Sequence, residues 1–295
     1  MNYSNTPTTT TTTNTPNTYT FQSNKYIDGT REFFMSDSIF AKFAFVLLVI
    51  FFFLIALRFG TKILEYFLSP SKSPKLINGM VDAKHLIVFP QDPSSPGAVT
   101  ITRSKNEQDG IEFTWSVWMF IDDLQYNDGK YRSVFYKGNE FSNNPESSEQ
   151  GLNFPNNAPG LYIAPHTNDL VVIMNTFNVI NEEIVIKDVP LNKWMNIIIR
   201  CENNTMDVYV NGSIVKSHRL HGVPKQNYGD VYVGMDGGFS GNISNLWYYN
   251  HALGVSEIQR IADNGPNTTM AKNGGGAMTS KDVDYLSLRW IFGNS

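Results

Sequence analysis

VPLNKWMNIIIRCENNTMDVYVNG, residues 189–212, decides how this chain is read. Two apolar runs of strand length, rich in β-branched and aromatic residues, flank Glu202-Asn203-Asn204-Thr205. Met195, Ile197, Ile199 and Cys201 share one face of the first run. Met206, Val208 and Val210 share one face of the second, with Asp207 and Tyr209 opposite. A period of two is the signature of strands. Asn211-Gly212 supplies the two positive-φ residues of a tight hairpin turn, and Ser213–Ser217 is the return strand. The block is an antiparallel meander.

Outward from it, the same pattern recurs. Ile111–Ile121 is the longest strand, with Phe113, Trp115, Val117, Met119 and Ile121 on one face. Further strands are expected at 85–89, 98–102, 131–136, 161–163, 170–174, 184–186, 231–233 and 243–249. A polar loop fills 137–157. One short helix opens at Ser256 with Gln259 in a capping-box spacing and stops before Gly265. Many short strands with a single short helix mean an all-β sandwich of two antiparallel sheets. Residues 81–295 are assigned to it, with 265–281 a flexible linker and 282–295 a terminal strand or a contact segment.

The N-terminal part differs in kind. Ten of the first twenty residues are Thr, so residues 1–38 cannot bury enough apolar surface to offset ordering and are expected to be disordered. They would serve as a solvated tail or an O-glycosylated stalk. Phe43–Leu57 is an unbroken run of fifteen apolar residues. With Ile39–Ala41 the run is about 28 Å long as a helix, close to the hydrocarbon thickness of a bilayer. Residues 39–68 are therefore a transmembrane helix with an interfacial extension. The Ser/Pro segment at 69–80 is a linker.

The formal net charge is −4 and no basic patch stands out, which argues against a nucleic-acid partner. Cys201 is the single cysteine, so no intrachain disulfide is possible and a reducing compartment is favoured.

Three segments in order, Phe113–Trp118, the 189–217 block and Gly234–Gly265, resemble laminin-G-like domains of the concanavalin A-like lectin/glucanase superfamily. The resemblance implies a jelly-roll sandwich, here preceded by one transmembrane α-helix. It also raises three chemistries. Laminarinase-type glycosidases carry Glu-x-Asp-x-x-Glu, and Glu107, Asp109 and Glu112 have that spacing. Here, however, the motif precedes its strand, with Gln108 and Gly110 where apolar residues are needed, so three acids in a polar loop and no catalysis are expected. Related domains bind calcium at the sandwich rim. Asp230 and Asp236 are weak candidates, because Ser244 and Asn245 stand where two acids are often found. Calcium is thus possible, and no other cofactor is expected. Last, Trp247, Tyr249 and His251, with Asp236 and Asn242, form the expected ligand set. Alternation turns Leu246 and Tyr248 to the core instead. The five histidines show no metal-ligand spacing.

The expectation is a single-pass, membrane-anchored, lectin-like binding or structural module. The Asn/Thr bias, missing disulfides and anchor resemble virion membrane proteins of large DNA viruses, which implies a virion internal membrane and a coat or capsid partner. The alternative is a cell-surface carbohydrate-binding adhesion protein, and the third reading is a laminarinase-type hydrolase. Partners are then the bilayer and either a glycan or a coat protein. Lys25, Arg31 and Lys42 precede the unbroken apolar run; Arg58, Lys62, Lys72 and Lys75 follow it. The positive-inside rule turns the sandwich toward the cytosol, whereas the resemblance to extracellular laminin-G-like domains implies the opposite orientation.

Overall fold

A computed structural model describes residues 38–68, 71–107, 110–145 and 150–271. The chain divides into two units, Met1–Ser69 and Pro70–Ser295. The Thr-rich tail before residue 38 and the terminal segment expected at 282–295 lie outside the described residues.

The first unit contains α1 (Ile39–Leu68), one helix long and apolar enough to cross a membrane. Its side chains are exposed on every side, Phe45, Leu48, Phe51 and Leu54 alike. A soluble helix confines such residues to one stripe. Arg58 and Lys62 lie inside the helix, and Lys62 pairs with Glu65 at 2.9 Å.

The second unit is a sandwich of two antiparallel sheets. One runs in the order β1 (Met80–Asp82), β13 (Gly241–Tyr249), β4 (Gly110–Ile121), β9 (Trp194–Asn203), β10 (Thr205–Val210), β11 (Ser213–Arg219), with β3 (Lys105–Glu107) also on β4. The other runs β2 (Ile87–Phe89), β12 (Asp230–Val233), β5 (Arg132–Gly138), β6 (Gly160–Ile163), β7 (Leu170–Met174), β8 (Glu182–Ile186). A short helix, α2 (Val255–Asn264), follows β13.

The deciding stretch folds as read. Thr205 pairs with Glu202 across Asn203-Asn204, and Val210 pairs with Ser213 across Asn211-Gly212, both of which have positive φ. Met195, Ile197, Ile199, Cys201, Met206 and Val208 are buried in the core between the sheets. Trp115 of β4 stacks on Phe135 of β5 at 5.1 Å, bridging the two layers. Burial pushes the Cys201 thiol up to about 12, so it is an inert apolar filler. The opposite face of β9 and β10 is also covered: Ile198 and Tyr209 pack with Leu253, just before α2, and Ile258 of α2.

Four features depart from the sequence reading. Residues 98–102 form no strand. The Gln91 side chain binds them instead, its Nε2 donating to the Val99 carbonyl at 2.9 Å and its Oε1 accepting from the Ile101 N–H at 2.8 Å. The three-residue strands β1 and β3 were too short to show a period. The helix cap is Gly254, not Ser256: the Glu257 carboxylate accepts the Gly254 N–H at 3.1 Å, and Gln259 donates to Asp263. A charged acceptor at the helix start is favoured there by the helix dipole. Finally, Trp194 is partly buried against Phe120, at 5.6 Å, because its neighbour Met195 takes the core-facing position.

Residues 72–77, read from sequence as linker, bond along β13. Asn250 N–H donates to the Lys72 carbonyl, Tyr248 N–H to Pro74, and Leu76 N–H to Leu246 at 2.8 Å. β1 continues the same edge, pairing Met80 with Ser244.

Candidate functional site

β13 turns two aromatic side chains, Trp247 and Tyr249, away from the core. Its pairing with β4 shifts between Ser244 and Trp247, where Asn245 takes a left-handed φ of 51°. This bulge re-aims the strand. Leu246 and Tyr248 face the core, while Trp247 and Tyr249 are turned outward. Trp247 and Tyr249 lie 5.8 Å apart, and Tyr249 and His251 6.2 Å apart. The Lys75 ammonium stands 4.7 Å over the Trp247 ring, and burial holds it below its ordinary pKa.

Beside Trp247 lies a cavity of about 290 Å³, lined by Lys75, Trp118, Asn245, Ile261 and Pro266 among others. Trp247 Nε1 and Asn245 Oδ1 are buried and have no hydrogen-bond partner. Leaving a buried donor or acceptor unmade costs about 1–3 kcal/mol each. One donor, one acceptor, a cation and aromatic faces thus meet around one recess. That is the equipment for a ligand with an apolar face and polar edges.

The expected ligand set is only partly assembled. Trp247, Tyr249 and His251 form one row. Asn242 is on the same strand beyond the bulge, between Phe120 and Asp82 in register. Asp236 sits in the tight turn Met235–Gly237 with φ 54°, its carboxylate 2.7 Å from Lys130 Nζ. Asp230 starts β12, whose other end leads to Asp236, and accepts the Gln91 N–H at 2.8 Å. Each of these two acids therefore has a protein partner of its own. Lys75, Trp118 and Asn245 escaped the sequence reading. A tryptophan out of phase with the core-facing Trp115 and Val117 was the available signal for Trp118.

Glu107 ends β3 opposite Gly110, and Glu112 lies on β4 opposite Lys105, so these two acids of the glycosidase spacing stand on different strands; Asp109 lies outside the described residues.

A second cavity, about 310 Å³, opens between the sheets, walled by Phe113, Trp115 and Tyr248. Lys137 lines it. Its ammonium donates to the Gly229 carbonyl at 2.6 Å, and burial pulls its pKa down to about 8 against the opposing pull of Asp230.

For metals, among the described residues one group brings three His, Cys, Asp or Glu side chains together. Glu182, His218 and His221 have their ligand atoms within 4.8 Å of one another. The sequence hid it because Glu182 lies on β8 and His218 on β11, strands of different sheets.

The family model described as concanavalin A-like lectin/glucanases superfamily matches residues 94–259, more than half of the chain. No curated protein matches it. Similar solved structures include the receptor binding domain of botulinum neurotoxin D, at 13% identity and TM-score 0.42, covering 64% of this chain and 52% of that one. Another is the botulinum neurotoxin serotype G binding domain, at 13% identity and TM-score 0.43, covering 63% and 46%. The chain spans about half the length of these solved domains.

Proposed function

Because the chain belongs to the concanavalin A-like lectin/glucanases superfamily, we propose that its sandwich is a non-catalytic binding module, held at a membrane by α1, whose ligand is a glycan. The Trp247–Tyr249–His251 row is its seat. The observation that carries this reading is the pair of unpartnered buried atoms, Trp247 Nε1 and Asn245 Oδ1, at a recess rimmed by aromatic rings. A pyranose ring stacks its C–H face on an indole and offers hydroxyls that accept from one of these atoms and donate to the other. On a cell surface the same site would serve adhesion.

The full chain in nanodiscs, applied to a glycan array, tests this. Binding of a restricted set of sugars, lost in Trp247→Ala with the circular dichroism unchanged, is the expected result. Silence across the array, or binding unaffected by Trp247→Ala, overturns it.

A second reading is favoured by β11. This edge strand exposes Ile214 and Val215, and its ladder partner is on one side only. Exposed apolar edges are templates for protein pairing. The module would then tie a membrane to a protein coat, as in a virion with an internal membrane. Val215→Lys, which blunts the edge, would abolish coat binding and leave glycan binding intact.

A further inference from the structure

We propose that Glu182, His218 and His221 bind one zinc ion that clasps the two sheets at their open edge. The three side chains converge from separate elements. Glu182 opens β8, the last strand of one sheet, and His218 is on β11, the last strand of the other. His221 follows in the loop after β11. His218 Nε2 is 2.8 Å and His221 Nδ1 2.7 Å from the same oxygen, Glu182 Oε1. All the ligand atoms lie within 4.8 Å of one another.

Two imidazoles and one carboxylate are a zinc ligand set, with bonds of about 2.0–2.2 Å and a fourth tetrahedral position left for water. Such a tetrahedron separates its ligand atoms by roughly 3.3 Å. The histidine–glutamate contacts therefore open by about half an ångström to admit the ion. The chain permits this, since the His221 side chain is 71% exposed and free to swing, while Glu182 is only 6% exposed and fixed. Both Glu182 oxygens accept the His221 backbone N–H at 3.1 Å, which helps to orient the carboxylate. Nitrogen ligands select zinc over calcium, which takes oxygen. The solvent-facing His221 leaves the fourth position to water.

The test uses the untagged full chain in detergent, stripped with a chelator and then given zinc chloride alone. One zinc per chain is expected to survive gel filtration, to raise Tm by several degrees, and to be displaced by chelator but not by calcium. Cobalt in its place should give the visible absorption of a tetrahedral site. His221→Ala removes an exposed ligand, so its fold is preserved. It should weaken zinc binding at least tenfold and cancel the Tm shift. Glu182→Gln should do the same, and if it fails to fold His221→Ala decides alone. No zinc retained by the wild type, or equal retention and equal Tm shift in His221→Ala, overturns the proposal and leaves a hydrogen-bonded cluster only.

Discussion

Lys75 and Trp247 face each other twice, as partners in an antiparallel bridge and as a cation 4.7 Å above a ring. The lysine arrives from the segment before β1 and the tryptophan from the strand after the bulge. A partly desolvated cation–π pair is worth about 0.5–2 kcal/mol. Lys75→Met, which keeps the stem, should therefore cost about 1 kcal/mol in urea denaturation. A change within a few tenths would mean that the charge contributes nothing.

The tryptophans should rank by burial. Trp115 is 1% exposed and touches both Phe135 and Tyr248 at 5.1 Å. Its replacement by Ala should cost about 3–5 kcal/mol, the range for emptying a packed aromatic site. Trp194, only partly buried, should cost about 1 kcal/mol, well below what a core tryptophan would. Equilibrium unfolding of the two variants compares them directly, and the reverse order would contradict the packing.

Lys137 makes stability pH-dependent on the alkaline side. Its pKa falls from 10.5 to about 8 on folding, so between those values the unfolded chain holds the proton and the folded one does not. Stability from this group therefore rises as pH rises from 8 to 10.5, by up to roughly 3 kcal/mol. Lys137→Met should flatten that slope. Parallel wild-type and variant curves would show that the ammonium is not desolvated.

Glu107→Gln, Asp109→Asn and Glu112→Gln should leave every behaviour of the molecule unchanged. Incubation with β-glucan and reducing-end detection checks this. Cleavage by the wild type that disappears in these variants would make the chain a hydrolase.

Orientation is testable through the sequons at Asn203, Asn211, Asn242 and Asn267. With the sandwich cytosolic, none is glycosylated when the full chain is expressed in eukaryotic cells. Enzymatic removal of N-glycans then gives no mobility shift that depends on these four, the sequon Asn2-Tyr3-Ser4 preceding the apolar run in sequence, and protease reaches the domain in sealed microsomes. A mobility shift traced to any of the four would put the sandwich in the lumen.

The fold was legible where side chains alternate. In β4, β9 and β10 one face meets the core, so period two is written into Phe113 to Ile121 and Met195 to Met206. It was illegible where a side chain replaces a strand, as Gln91 does for residues 98–102, because no local pattern announces partners 8 and 10 residues away. The aromatic row was readable from β13 alone, as one strand carries Trp247 and Tyr249. Lys75 and Trp118 were not, since only the pairing of three separate segments brings them to Trp247. The Glu182 group failed for the same reason, more severely: its members are 36 and 39 residues apart, with no motif spacing to give them away.

The bonds along residues 72–82 also determine how the sandwich meets mechanical load. Any pull transmitted from the N-terminal side enters at Lys72, whose carbonyl is bonded to Asn250, and passes to Pro74, Leu76 and then β1 on the same strand. A force directed along β13 shears these bonds together and is shared among them. A force directed away from the sheet peels them one at a time, beginning with Lys72–Asn250, and draws Lys75 off Trp247 early in the process. Tension would thus uncover the aromatic row before it disturbs the core.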